Sequence, residues 1–404
     1  MKVLEFAIDN RALLEADGHS KRWHARVGEH VERLDVLVEE RERRGLPPRQ
    51  LTPTVRIIPV YTPHPLLYSA LALRRGLAEH RRHGYDLATT EDPFRPGLAA
   101  VLFKRRTGVP ISVEYHTDAF FNPAWLRERP AINRVYDRLG RLVIGAADSV
   151  RVVNRKNLRD ILAVCRDGTL VESIPVPSAF YDPARDGARA ARLRRALGLA
   201  AEDVLVLFVG RLAPVKRVDE LLRVFADLRD VHRQAHLLLV GGGPQSSELQ
   251  DLARHLGHER ITFAGYVPEH EVFPYYGAAN IFVNPAHVEP YGRVYIEAMS
   301  AELPVVTTRG AGAVEDGLCV AGENALVVPP GDLEAFGQAL SRLIDDPRLR
   351  AALGRRGREW ARDKLDYEQS LRRMRAFWDR TIAAARAPRL ELPPHLEEAP
   401  ESAG

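Results

Sequence analysis

Short apolar runs rich in Val, Ile, Leu and Phe alternate along this chain with stretches whose apolar residues recur at helical spacing. That alternation is the signature of parallel sheets flanked by helices. Strands are expected over residues 3–8, 56–61, 87–90, 111–115, 150–153 and 171–176, then over 204–209, 236–240, 261–263, 281–283, 305–307 and 325–328. Helical stretches fill the gaps, the longest at 20–44 and 125–146. Two doubly wound α/β units in tandem follow, with no short internal repeat. Pro175, Pro177 and Pro183 interrupt the pattern before an Ala/Arg-rich helix at 188–197, which sets the joint near residue 180. A last helix at 367–385 carries Leu371, Met374, Phe377, Trp378 and Ile382 at helical spacing. Beyond Pro388 the chain is Pro-rich and acidic, and disorder is expected there.

With 404 residues the chain exceeds one ordinary core and suits two domains. Its 45% hydrophobic and 28% charged residues are those of a globular protein. Cys165 and Cys319 alone make no disulfide framework, so a reducing compartment is expected. The run at 3–8 is broken by Asp9-Asn10 and is no signal peptide, and no apolar stretch is long enough to span a bilayer, so the expectation is a cytoplasmic protein. The net charge of +4 hides an asymmetry: residues 1–180 carry 29 Lys+Arg against 22 Asp+Glu, and the remainder 29 against 32. Arg74-Arg75, Arg81-Arg82 and Lys104-Arg105-Arg106 could attract an anionic membrane surface or a phosphorylated acceptor, or could form solvated faces paired with nearby Glu. No cluster is long and uninterrupted, which favours solvated faces. No nucleic-acid partner is expected.

Candidate chemistry concentrates between Glu289 and Glu297, in Glu-Pro-Tyr-Gly-Arg-Val-Tyr-Ile-Glu. The apolar run 281–283 leads through Asn284-Pro285 into a loop carrying Glu289. Gly292 permits a tight turn, and a helix is expected from Arg293. Glu297 then lies just over one turn inside, so that both carboxylates can face one cleft. The helix start offers N–H groups and a positive dipole end to a phosphate, and the carboxylates suit sugar hydroxyls. Alternatively, Glu289 is a solvated loop residue and Glu297 a complement to the helix dipole. Arg211 and Lys216 follow the strand at 204–209, where open α/β sheets place ligands, and two cations there suit a diphosphate. Gly241-Gly242-Gly243-Pro244 closes the next strand without the third Gly of a dinucleotide fingerprint, which argues against an oxidoreductase.

The full series is Val209-Gly210-Arg211-Leu212, Lys216, Asp219-Glu220-Leu221-Leu222, the Gly241–Pro244 turn, Phe263-Ala264-Gly265-Tyr266, the Glu289 to Met299 segment, Pro304-Val305-Val306, Gly312 to Glu315 and Gly331-Asp332. In this order and spacing it closely resembles the C-terminal half of the retaining GT-B glycosyltransferases, family four (group 1) in particular. The resemblance is dense over 204–332 and thin before residue 180. It implies two Rossmann-like domains facing across a cleft: residues 1–180 for the acceptor, 181–366 for the nucleotide sugar, a crossover helix at 367–387 returning to the first domain, and a tail at 388–404. The implied activity moves a hexosyl group, with retention, from a UDP- or GDP-sugar to a hydroxyl acceptor, plausibly a lipid-linked or cell-envelope glycan, with peripheral contact at the inner membrane face. No metal or other cofactor is implied.

By the same resemblance Arg211 and Lys216 hold the diphosphate, Glu289 contacts the transferred sugar and Glu297 the ribose. Backbone around Tyr291, Gly292 and Arg293 meets the phosphates, and Gly242 lets the nucleotide approach. His116, after the strand at 111–115, resembles the active-site His beside the donor sugar; a core-edge His is the structural alternative. Glu315 resembles the Glu of the Gly-Gly-x-x-Glu loop, with only Gly312 matched. Three features depart from the family: no Gly-rich loop follows the first strand, where Asp17-Gly18-His19-Ser20 is the nearest candidate; Pro175-Val176-Pro177-Ser178 replaces the usual hinge; and Glu302 stands for a frequent Gly. Alternatives are a GT-B sugar-nucleotide epimerase and a catalytically silent nucleotide-sugar binder.

Overall fold

A computed structural model describes residues 1–8, 19–42, 45–116, 119–174, 180–228, 231–257, 259–287, 289, 292–364 and 367–387. The candidate first loop before residue 19, the hinge run at 175–178 and the tail at 388–404 lie outside them.

Among the described residues, eight strands form the first sheet: β1 (Lys2–Ala7), β2 (Arg33–Glu40), β3 (Arg49–Gln50), β4 (Val55–Tyr61), β5 (Leu87–Thr90), β6 (Ile111–Tyr115), β7 (Ser149–Val152) and β8 (Leu170–Ser173). Their order is β3-β4-β2-β1-β5-β6-β7-β8, and only the short β3 runs antiparallel. The second sheet holds β9 (Val204–Val209), β10 (Ala235–Val240), β11 (Ile261–Gly265), β12 (Ile281–Asn284), β13 (Val305–Thr308) and β14 (Ala325–Val328), ordered β11-β10-β9-β12-β13-β14 and parallel throughout. In each sheet the chain winds outward, returns to the centre and winds the other way. The reversal falls between β1 and β5 in one sheet and between β9 and β12 in the other. At such switch points open α/β sheets leave a crevice beyond the C-terminal strand ends.

The helix expected at 20–44 is instead a helix, His19–Gly28, followed by β2. Gly28 stops against the sheet, where a Cβ would sit 2.2 Å from the Val55 side chain. Leu34, Val36, Leu37 and Val38 are all buried, because β2 is an interior strand covered on both faces and lacks a polar side to betray its period. The helix expected at 125–146 is divided into Pro123–Glu128 and Pro130–Ala146, with Pro130 at the first position of the second piece.

The helix Tyr367–Arg386 lies on the first sheet. Leu371, Met374, Phe377 and Trp378 share a core with Val3, Val36 and Leu87, and Thr381 Oγ1 bonds Ser149 Oγ at 2.8 Å. Each such apolar side chain contributes about 1.5–3 kcal/mol on burial. This contact ties the chain beyond the second sheet to the first lobe. Glu302, which stands where the resemblance has Gly, takes φ +59°, a left-handed conformation that favours glycine. Its carboxylate accepts from Arg358 at 2.8 Å.

The basic clusters of the first lobe are partly neutralised, with Arg75 and Arg82 on Glu79 at 2.9 and 3.2 Å and Lys104 on Asp148 at 2.7 Å. Glu79 and Asp35, both fully buried, also share Arg56. Among the described residues no helix is long and apolar enough to cross a membrane.

Candidate active site

A cleft of about 630 Å³ opens between the two lobes at their C-terminal strand ends. The second lobe contributes Gly210, Lys216, Glu289, Gly292, Arg293 and Glu297 to its lining. From the first lobe come Glu5, His24, Glu91, Glu114, His116 and Arg151. Both sheet switch points therefore face one space.

Lys216 ends a short turn, Pro214–Lys216, just past β9, and its ammonium pairs with the Glu289 carboxylate. Glu289 is buried in the loop after β12, and its carbonyl accepts from the Gly312 N–H at 2.6 Å. Two loops of the second sheet thus fix the pair. Gly292 has φ +71°, and a Cβ there would lie 2.5 Å from the Tyr295 ring, so only glycine turns the chain into the helix Arg293–Ser300. Among the described residues no side chain caps that helix start, which lines the cleft through Gly292, Arg293 and Val294. Glu297, on the same helix, is buried and accepts from the Tyr276 hydroxyl at 2.8 Å. Burial first, then the nearby Glu297 carboxylate, push the Tyr276 hydroxyl well above its ordinary range, so it stays a donor. Arg293 Nη1 lies 3.2 Å from Glu269, which also receives Arg22 of the first lobe at 3.1 Å, an ion pair across the cleft.

Other sequence candidates fall elsewhere. Arg211 is exposed and does not line the cleft, although Gly210 beside it does. The cause is local: Leu212 is buried and its N–H bonds Gly242 O at 3.0 Å, which holds the loop against the turn after β10. Gly242 is likewise absent from the lining, and its neighbours Gly241 and Gly243 press against the backbone of Gly210 and Leu212. A Cβ on Gly241, at φ +138°, would lie 1.9 Å from Gly210 O. Tyr291 lies outside the described residues. Glu315 reaches across to Arg159 of the first lobe at 3.4 Å.

His116 lies with Nε2 2.8 Å from Glu114 Oε2, and Arg151 Nη1 donates to the same oxygen at 2.9 Å. Burial alone would raise the Glu114 carboxyl; Arg151 and His116 outweigh it and hold it at about 2. Glu91 behaves oppositely: burial, with Glu5 and Asp92 nearby, pushes it up to about 8. Glu5 Oε1 sits 3.2 Å from His24 Nε2. Of this wall His116 was named from the sequence, and Glu5, Glu91, Glu114 and Arg151 were missed. Its signal was present as single charges inside apolar strand runs, Glu5 in β1, Glu114 in β6 and Arg151 in β7. A charge in a strand covered on both faces demands a partner or a ligand.

Among the described residues, Asp35, Glu79 and His83 are the one acidic/His trio close enough to hold an ion. Those carboxylates already bind Arg33, Arg56, Arg75 and Arg82, so the trio is part of an ion-pair network.

The second-lobe wall therefore combines a cation, an open helix start and two buried carboxylates, a set suited to a diphosphate joined to hydroxyl-bearing sugars. Comparisons with known proteins agree. The family model described as Glycosyl transferases group 1 matches residues 190–360, and the Glycosyl transferase 4-like domain matches 18–164. The chain is 32% identical over 384 residues to a D-inositol 3-phosphate glycosyltransferase of Acidothermus cellulolyticus, covering 86% of this chain and 80% of that one. It is 34% identical over 230 residues to a GDP-mannose-dependent alpha-(1-6)-phosphatidylinositol monomannoside mannosyltransferase of Mycolicibacterium smegmatis, covering 55% and 59%. Among solved structures, sucrose-phosphate synthase of Thermosynechococcus elongatus matches with TM-score 0.79 at 23% identity, over 95% of this chain and 100% of that one. Anabaena Alr3699/HepE in complex with UDP matches with TM-score 0.74 at 18% identity, over 94% and 100%. These last two likenesses speak to the two-lobed fold alone. With its two lobes, its cleft and these matches, the chain belongs to the group 1 glycosyltransferases of family four, enzymes of GT-B fold that use nucleotide sugars.

Proposed function

We propose that this enzyme transfers a hexosyl group from a UDP- or GDP-sugar to a hydroxyl of an inositol-bearing or lipid-linked acceptor, with retention at the anomeric carbon and without a metal. The observation that carries this reading is the shared cleft, with Lys216, Glu289 and Glu297 on one wall and His116 on the other. Lys216, Arg293 and the helix start beside Gly292 stabilise the charge that grows on the departing diphosphate. Glu289 holds hydroxyls of the transferred sugar, and Glu297 those of the ribose. The acceptor oxygen bonds to the anomeric carbon on the face the diphosphate leaves, and the leaving phosphate oxygen takes the acceptor proton. No protein base is needed. Arg211 belongs to this reading only as a side chain that swings in from the rim beside Gly210. The Arg22–Glu269–Arg293 bridge spans the two lobes, and cleft closure excludes water from the donor. A lipid-linked acceptor would bring the basic first lobe to an anionic membrane surface.

Nucleotide diphosphate release from a panel of UDP- and GDP-sugars tests the reading. Slow release with one donor, accelerated by acceptor, is the expected result. Release that no acceptor accelerates, with an epimerised sugar as product, would favour the epimerase. Binding with no release identifies a silent binder. Within this site Tyr276→Phe removes a donor from the buried Glu297 carboxylate. A charge-assisted hydrogen bond of this kind is worth about 1.5–3 kcal/mol, so the half-saturating donor concentration should rise about ten-fold or more. An unchanged value would take Glu297 out of the donor site.

A further inference from the structure

The lobes meet beside the cleft at contacts that end on donor-wall groups. One is the Arg22–Glu269–Arg293 bridge. Another is made by Asp316, which follows the short second-lobe helix Gly312–Glu315. Its Oδ1 accepts from the Arg155 N–H at 2.7 Å. Arg155 opens the first-lobe helix Arg155–Leu162, two residues after Val153, which lines the cleft. Asn154 caps that helix from within the first lobe, but its side chain accepts from the Asn157 N–H, at 2.6 Å. The first amide of the helix is left for another partner, and a carboxylate of the opposite lobe meets it at the positive end of the helix dipole. The neighbouring pair Arg159–Glu315, at 3.4 Å, joins two largely exposed side chains and contributes little.

Short backbone bonds join Asp316 to Glu289. The Asp316 N–H donates to Gly312 O at 2.9 Å, and the Gly312 N–H donates to Glu289 O at 2.6 Å. The turn between them is held firmly: Ala311 and Ala313 are buried, and Ala313 O accepts from the Leu318 and Cys319 N–H groups, each at 2.8 Å. Glu289 in turn holds the Lys216 ammonium. A close-packed turn transmits strain, so a displacement at Asp316 reaches the Lys216–Glu289 pair. Burial pushes the Asp316 carboxyl above its ordinary value, against the pull of the Arg155 N–H and the Arg155 charge. That desolvation offsets much of what the hydrogen bond contributes, so the contact holds the lobes lightly and a bound donor can tip the balance. We propose that Asp316 is a positioning residue of the donor site: by capping the helix Arg155–Leu162 across the lobes, it carries closure through Gly312 into Glu289 and Lys216. This rests on the donor-site reading above and adds a residue that does not line the cleft.

The test measures nucleotide diphosphate release with the active donor in variants of both partners. In Asp316→Ala the donor kcat/KM should fall about ten-fold, as a comparable loss of the closed population requires. Asp316→Asn keeps an oxygen acceptor for the Arg155 N–H and should stay within about three-fold of wild type. Arg155→Pro removes the N–H itself. Proline suits the first position of a helix, and Asn154, at φ −150° and ψ 169°, has the extended backbone favoured before proline. This variant should match Asp316→Ala, whereas Arg155→Ala, which keeps the N–H, should lose less than about two-fold. The double variant Asp316→Ala/Arg155→Pro should fall no further than either single change, because both break one contact. Losses that multiply, no rescue by asparagine, or a wild-type rate in Asp316→Ala overturns the proposal. If the wild-type enzyme releases nucleotide from no donor, the donor reading fails, and amide hydrogen exchange decides this proposal by itself. Asp316→Ala should then speed exchange about ten-fold at the Arg155 amide and also at the Gly312 amide, which bonds Glu289. Unchanged exchange at Gly312 overturns the proposal.

Discussion

Lys216→Ala should lower nucleotide diphosphate release by about 10²–10³-fold, the loss that follows removal of one preorganised group facing developing charge, ~2.7–4 kcal/mol. Lys216 and Arg293 are the Lys and Arg side chains that line the second-lobe wall among the described residues, and the pairing of Lys216 with Glu289 orients both groups before the donor arrives. The diphosphate competes with Glu289 for that ammonium, and the gain grows as negative charge builds on the leaving oxygen. The effect should therefore fall on kcat more than on the donor KM. Lys216→Arg keeps the charge and should recover part of the rate. Truncation also leaves the buried Glu289 carboxylate without its cation, so thermal unfolding must accompany the kinetics. A variant that unfolds at the wild-type temperature and still turns over at the wild-type rate would remove Lys216 from the mechanism.

The second large effect concerns stability. Arg56→Met should cost about 3 kcal/mol, measured by denaturant unfolding of the first lobe. Arg56 bonds Asp35 at 3.0 Å and also Glu79, and both carboxylates have fully buried side chains. Removing one partner of a buried ion pair leaves a charge uncompensated, at ~3–5 kcal/mol. The lower end applies because Arg33 at 2.8 Å and the Tyr85 hydroxyl still serve Asp35, and Arg75 at 2.9 Å still serves Glu79. Burial alone would raise the Asp35 carboxyl, but Arg56, Arg33 and Tyr85 together hold it below its ordinary value. The sign follows from that direction. A depressed folded value contributes stability that is fully present above the unfolded value of 3.8 and is lost as pH falls through the folded one. The gap between wild type and Arg56→Met should therefore be constant near neutral pH and should narrow in acid below 3.8. A gap independent of acid pH would place the cost elsewhere, in lost packing of the Arg56 stem.

The second lobe was the legible half of this protein, because its determinants are local. Lys216 sits within a few residues of β9, and Glu289, Gly292, Arg293 and Glu297 occupy one continuous strand–loop–helix passage, so their spacing along the chain already sets their spacing in the cleft. Apolar runs at strand spacing placed the strands of the second sheet. Interior strand β2 escaped, since burial on both faces erases alternation. The placement of Arg211 was not legible for a different reason: adjacency to a strand end places a backbone near a cleft but leaves the side chain's direction to the surrounding loop. The first-lobe wall was decided only by tertiary structure. Glu5, Glu91, Glu114 and Arg151 are distant in sequence, and no spacing rule joins them. Glu5 stands on β1, Glu91 just follows β5, and Glu114 and Arg151 are register partners on β6 and β7; these four strands lie side by side in parallel, which brings the separated groups to one wall of the cleft.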